Sequence, residues 1–336
     1  MFPSPIIAAP MAGGVSTPAL VSAVARAGGL GFLAAGYKSV TALRAEIASV
    51  RLTGLPFGVN LFVPGGPAKN REPLLAYRAK LASLADRYGV VLPDPQYDDD
   101  GWDSKVRTLM DEPVPFVSLT FGLPDRAIIG ALQQRGTVVI STVTCQRELV
   151  VAQEHGVDAA VVQHSSAGGH SAVFDPSHPA ERPTSDIAAL IASLIPNSTV
   201  PLIAAGGLTG GRDIRRTLDA GATAVQLGTL FVRTHESGAR QIHKDALASL
   251  AFPGTAVTQA FSGRPARGLE NQFMREHRDA PLGYPEVHHL TSPLRAAAAA
   301  AGDPELLALW AGTGYRAAQP IGATDLVAHL IAELDR

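Results

Sequence analysis

Short apolar runs recur along the chain, each giving way to a small or polar residue and then to a segment with helical spacing. Eight stand out: PIIAAP, GLGFLAAG, PFGVNLF, PFVSLTF, TVVISTV, AAVVQ, VPLIAAGG and AVQLGT. They are continuous rather than alternating, which suits strands buried on both faces. The segments between them read as helices: TPALVSAVARAGG begins at a Ser-Thr-Pro start and stops at glycine, and GGRDIRRTLDAGA repeats the pattern with arginines on its wetter side. About eight such units is the count of a closed parallel (β/α)8, or TIM, barrel. An open doubly wound sheet would show the same alternation, and spacing does not separate the two.

Three regions interrupt the rhythm. From about Asn70 to Glu112 the spacing predicts one long helical segment and then PDPQYDDDGW, a surface excursion whose carboxylates have no rigid element to aim them. A long loop follows the sixth run, from His164 to Pro183. After Arg240 the chain reads as a mostly helical extension, with the alanine run of PLRAAAAAAGD explained by helix propensity alone. The expected organisation is a barrel over residues 1–240, with an insertion at about 70–112 after the third strand, and an extension over 241–336 covering the substrate side.

Composition narrows the function. Apolar residues make up 46% and charged residues 17% of the 336, enough for a large core and far from disorder. A net charge of -2 provides no basic field for nucleic acid and no polybasic membrane patch. Cys145 is the single cysteine, so neither a disulfide framework nor a multi-thiolate metal site is available, and a reducing compartment fits. With no basic start, secretory core or membrane-length apolar window, the expectation is a soluble cytoplasmic protein.

In parallel α/β folds the chemistry sits beyond the carboxyl ends of the strands. Those ends offer Pro10, Met11, Gly36, Asn60, Thr120, Thr142, Gln163, His164, Gly206, Gly207, Gln226, Gly228 and Thr229. No carboxylate stands there to hold a divalent metal, and no lysine to form an imine; Lys38 lies in a loop. Neutral amides, hydroxyls and glycine-exposed backbone suit a large uncharged heterocycle, with a bound cofactor performing the hard step. Two glycine sites, AAGGLTGG and QLGT, fall after the seventh and eighth runs, where barrels often bind phosphate through backbone N–H groups.

Six segments in order resemble the nitronate monooxygenase family, also called 2-nitropropane dioxygenases: APMAGGVSTPALVSAVARAGGLGFLAAGY, FGVNLFVP, QHSSAGGH, AAGGLTGGRD, QLGT and SGRPARGLENQFM. The tail from Tyr284 looks like that of one subgroup. The resemblance implies a TIM barrel carrying FMN and acting on alkyl nitronates, such as propionate 3-nitronate, with molecular oxygen. It implies that Asn60, Gln163, Gly168, Gly207, Gln226, Leu227, Gly228 and Thr229 contact FMN, with the backbone at Pro10 and Met11 against the ring system. It implies that His170, which closes AGGH, is catalytic, in keeping with an imidazole's near-neutral pKa. The motif departs from the usual Q-G-x-E-A-G-G-H: His164 stands for the glycine and Ser166 for the glutamate. That leaves open a flavin-dependent NAD(P)H enoyl-thioester or quinone reductase, and a phosphate-binding barrel without flavin is a third reading. His164 is expected at the base of the loop rather than over the flavin.

Among the remaining candidates, Cys145 lacks a basic partner and reads as a small buried apolar residue. Arg264 and Arg267 either hold a substrate carboxylate by paired donors or merely cap and pair on the surface. Tyr284, His288, His289, Trp310 and Tyr315 line the substrate side if the tail folds over the barrel mouth; the adjacent histidines lack metal-motif spacing. A homo-oligomer is left open.

Overall fold

The computed structural model describes residues 2–178 and 184–334. Eight parallel strands close into a barrel: β1 (Ile6–Ala8), β2 (Leu30–Ala34), β3 (Phe57–Phe62), β4 (Phe116–Thr120), β5 (Val138–Val143), β6 (Ala159–Gln163), then, past a two-residue strand β7 (Gly169–His170), β8 (Leu202–Ala205) and β9 (Ala224–Leu227). Closure is made by β1, where Ile7 registers with Leu30 on one side and Gln226 on the other. The open-sheet alternative is thereby excluded. Each apolar run seen in the sequence contains one of these strands.

Burial on both faces has a direct structural cause. Ile7, Leu30, Phe32, Phe116, Ile140, Val161 and Ile203 fill the barrel interior as one cluster. Their sequence neighbours, such as Ile6, Leu33, Val117, Val139, Val162 and Leu202, pack outward against the helices. Phe32 fixes the choice of glycine on the next strand, since a Cβ at Gly58 would lie 2.1 Å from its ring.

The insertion differs from the expectation. The segment read as one long helix is two, Glu72–Lys80 and Ala82–Tyr88, divided at Leu81. After an extended stretch, the helix Trp102–Asp111 supplies the barrel's outer layer between β3 and β4. The acidic cluster is also not wholly loose: Asp100 Oδ2 pairs with the buried Lys105 Nζ at 2.7 Å, and Asp100 Oδ1 accepts from the Tyr37 amide at 2.9 Å.

After Arg240 the fold is less helical than its composition suggests. β10 (Thr255–Thr258) and β11 (Ala266–Leu269) form an antiparallel pair, and β11 also pairs with β7, with Ala266 opposite His170. The extension therefore grips the loop after β6 through backbone hydrogen bonds. Leu74, Tyr77, Leu81 and Ala85 of the insertion share a second apolar cluster with Phe261, Phe273, Leu290 and Leu294 of the extension. The closing helix Ala323–Leu334 returns to the barrel and buries Leu326, Val327 and Leu330 with the first cluster.

Candidate active site

The carboxyl ends of the barrel strands open into a cavity of about 510 Å³, within the roughly 300–1,000 Å³ typical of small-molecule sites. Pro10 and Met11 reach it from the loop after β1, Asn60 from β3, Gln163, Gly168 and His170 from β6 and its loop, Gly207 from the end of β8, and Gln226, Leu227, Gly228 and Thr229 from β9. All the cofactor and catalytic candidates named from sequence thus border one space. The helix Glu286–Ala300 and residues 307–314 roof it. Among the described residues no cluster of three or more potential metal ligands occurs.

One end is built of glycine. Gly207 has φ +70°, and a Cβ there would meet Ser166 Oγ at 2.7 Å. A Cβ on Gly168 would lie 2.5 Å from the Gly312 nitrogen and 2.6 Å from the Ala311 carbonyl carbon. The AGTG run at 311–314, not among the residues singled out from sequence, is the third side of this cradle: Gly312 N donates to Thr229 Oγ1 at 2.9 Å. Among the described residues the amides of Gly207, Gly228 and Thr229 donate to no protein acceptor. Such amides and close backbone approaches suit a phosphate.

The other end is aromatic and cationic. His170 Nε2 lies 2.9 Å from Ser262 Oγ. Ser262 Oγ also lies 3.2 Å from the Arg264 carbonyl, which can only accept; with the single hydroxyl hydrogen directed there, Ser262 accepts from Nε2–H and Nδ1 keeps its lone pair. Phe121, Tyr284 and Trp310 surround the ring, with centroids 5.8, 5.6 and 5.5 Å away. Burial first, and then the charges of Arg264 and Arg295, lower its pKa to about 3. The imidazole is therefore neutral at ordinary pH. Tyr37 and Phe121 hold positive φ values of 66° and 81° beside it, a conformation side chains adopt only where the surroundings impose it. The Tyr37 ring stacks on His288 with centroids 4.0 Å apart, and its hydroxyl oxygen accepts a 2.9 Å hydrogen bond from the Tyr284 hydroxyl.

Several side chains serve to hold the loop. Gln163 Nε2 donates to the His170 carbonyl at 3.0 Å while its Oε1 accepts from Ala172 N at 2.7 Å. Arg264 donates to the carbonyls of Ser171 and Val173 and lies 4.0 Å over the Phe121 ring. Arg267 donates to the Ser165 carbonyl at 2.7 Å and to Thr255. Neither arginine borders the cavity; both donate to backbone carbonyls instead, Arg264 from a buried position rather than the surface one expected. His164 sits at the loop's base, bonded to Ser166 Oγ at 2.7 Å and to the Thr184 carbonyl at 3.2 Å, outside the cavity wall. Residues 179–183 of the loop expected over 164–183 lie outside the described residues. Cys145 is buried at a helix start, also away from the cavity.

The tail contributes unequally. His288 and Trp310 border the cavity and Tyr284 approaches His170. His289 does not line it; it turns to Asp98 at 2.7 Å in a neighbouring recess. Tyr315 also falls outside, its hydroxyl spent on the Phe252 carbonyl at 2.7 Å. Sequence reading missed Ser262, Tyr37 and Arg295, because only the fold brings them to the barrel mouth. A repeated aromatic or basic residue on an otherwise apolar helix face would have been the sole hint for Arg295.

Comparison with known proteins fits this geometry. The profile of a family described as nitronate monooxygenase matches residues 1–333. A probable nitronate monooxygenase of Staphylococcus saprophyticus is 34% identical over 334 residues, covering 98% of this chain and 94% of that protein. One from Staphylococcus aureus is 35% identical over 341 residues, covering 99% and 94%. Among solved structures, a nitroalkane oxidase from Streptomyces ansochromogenes superposes with a TM-score of 0.93 at 46% identity, covering 99% of this chain and 96% of that one. FabK from Thermotoga maritima gives 0.73 at 25% identity, covering 99% and 93%.

Proposed function

The chain belongs to the nitronate monooxygenase family, oxidoreductases that are typically flavin-dependent, and on that premise we propose that it oxidises alkyl nitronates with FMN and molecular oxygen, yielding a carbonyl compound and nitrite. Propionate 3-nitronate is the model substrate. The observation that carries this reading is the pairing, in one cavity, of an uncharged glycine cradle with a partly buried, neutral histidine, with no lysine or carboxylate on the wall among the described residues. The likeness to a Streptomyces nitroalkane oxidase supports a nitro compound as substrate.

The cavity's donor set fits FMN. The free amides of Gly207, Gly228 and Thr229 would hold its phosphate, and any side chain at Gly168 would collide with the backbone that closes the cradle. Asn60, with Nδ2 within 3.1 Å of the Ser118 carbonyl, leaves Oδ1 without a partner among the described residues, as an acceptor for a ring N–H. Gln226, Leu227 and the backbone of Pro10 and Met11 would flank the ring. Gln163 would act by fixing the His170 hairpin as much as by contact. When bound, FMN supplies the electron acceptor and the site of oxygen reduction.

The chain's own contribution is orientation, exclusion of water and proton placement. His170 Nδ1 is the free basic atom at the substrate end, positioned to take a proton from the carbon next to a nitro group. Burial makes it a weak base, which favours substrates that arrive already ionised. Trp310, Tyr284 and Phe121 keep bulk water from that ring. The test is direct: FMN-loaded protein should consume oxygen and release nitrite when given propionate 3-nitronate. No nitrite, combined with rapid bleaching by NADH or NADPH, would replace this reading with a reductase.

A further inference from the structure

Among the described residues the cavity wall carries two arginines and three histidines but neither aspartate nor glutamate. Of the arginines, Arg240 is exposed at the mouth, whereas Arg295 lies inside on the helix Glu286–Ala300. Its Nε donates to Thr291 Oγ1 at 3.2 Å, and its Nη2 to the His288 carbonyl at 3.0 Å and Ser292 Oγ at 2.8 Å. These bonds fix the guanidinium plane from one side. Nη1 has no protein partner among the described residues, and no carboxylate lies within 4.0 Å of the group.

That arrangement is costly for an empty site. A partly buried cation without a counter-ion forfeits hydration that three neutral hydrogen-bond acceptors only partly replace. Arg264 shows the contrast in its electrostatics, since its Nε and Nη2 donate to backbone carbonyls and Glu148 lies close enough to favour its charge. Burial lowers the Arg295 pKa to about 10, so the group stays charged at neutral pH. Its position is at the reactive end: it touches His288, which stacks on Tyr37, and its charge reaches His170. A fixed, forked donor with one free edge matches a planar anion with two oxygens.

We propose that Arg295 is the receptor for a planar two-oxygen anion at the His170 end of the cavity, and that it makes the site select ionised substrate over the neutral nitroalkane. The identification of that anion as part of a nitronate substrate rests on the function proposed above. Two sources share the chemistry: the nitronate oxygens themselves, or a carboxylate elsewhere on the same substrate.

The experiment uses FMN-loaded wild type, Arg295→Lys and Arg295→Gln. Calorimetric titration with sodium nitrate probes a planar anion, and nitroethane serves as the uncharged control. Loss of a charge-assisted hydrogen bond should weaken nitrate by about 10- to 100-fold in R295Q, with nitroethane changed by no more than about twofold and FMN content retained. R295K, which keeps charge without the fork, should fall between, and it carries the test if R295Q does not fold. In turnover, a raised KM for both ethyl nitronate and propionate 3-nitronate marks the nitronate oxygens, whereas a rise for propionate 3-nitronate alone marks the carboxylate. Nitrate affinity equal in wild type and variants, or no millimolar nitrate binding in wild type, overturns the proposal. Nitrate binding that depends on Arg295 in a wild type unable to oxidise nitronates would keep the anion site and discard the function.

Discussion

The histidine at the centre of the cavity should destabilise the fold in acid, by an amount that can be worked out. Folded His170 titrates at about 3, against 6.5 for a free imidazole. Between those values the unfolded chain binds a proton that the folded chain refuses. Stability therefore rises with pH across that window, and is lost as pH falls from 6.5 toward 3. From pH 7 to pH 5 the linkage integral for this one residue is about 2 kcal/mol, with carboxylates contributing little over the same range. Water in the adjoining cavity can only reduce that figure. The perturbation is His170→Gln, which keeps a donor for Ser262 and removes the titration. Urea unfolding of wild type and H170Q at pH 7 and pH 5 gives two stability differences. Wild type should lose about 2 kcal/mol relative to the variant on going to the lower pH, while the other buried histidines, present in both, cancel. Equal differences at the two pH values, within about 0.5 kcal/mol, would mean that His170 protonates in the folded state like a solvent-exposed residue, and its assignment as a neutral base would fall with that.

Three further outcomes test separate parts of the site. Gly168→Ala places a Cβ 2.5 Å from the Gly312 nitrogen, so overpacking of about 1–3 kcal/mol should weaken FMN by an order of magnitude or more in a fluorescence titration. Gly65→Ala, with open space at its Cβ and no positive φ, should leave FMN affinity unchanged. Ser262→Ala removes the oxygen that fixes the His170 tautomer; kcat/KM for a nitronate should drop up to about tenfold with little change in melting temperature. Lys105→Met strands Asp100 without its 2.7 Å partner, and should cost about 3 kcal/mol in chemical unfolding, with loss of order at Tyr37.

Why the barrel was legible while half the reactive end was not follows from the range over which each is encoded. A strand buried on both faces writes itself into five or six consecutive residues, as in LGFLA of β2 or, with two small hydroxyl residues, FVSLT of β4, because nearly every position must be apolar or small. Glycine is nearly as explicit: Gly168 and Gly207 are required by backbone contacts that no side chain could share, so AGGH and AAGG announce the cradle before the fold is known. Arg295 has no such local signature. Its neighbours at Ser292 and Ala296 would look the same on any solvent-facing helix, and its meaning comes from a roof 125 residues beyond His170 in sequence that folds back over the barrel. The same holds for Arg264 of the SGRPARG motif, whose donation to the Ser171 carbonyl depends on β11 pairing with β7. The departure at His164 and Ser166 belongs to this class too: the two side chains bond to each other at 2.7 Å, so the serine and histidine compensate one another across two residues, and Ser166 Oγ then sets the floor against which Gly207 must remain glycine. A replaced motif carboxylate therefore alters the support of the loop while leaving its free surface, the His170 Nδ1 edge, facing the cavity. Substrate choice is accordingly expected to track the roof that carries Arg295, Tyr284 and Trp310, while cofactor choice tracks the strand ends, and exchanging the roof between relatives should change the first without the second.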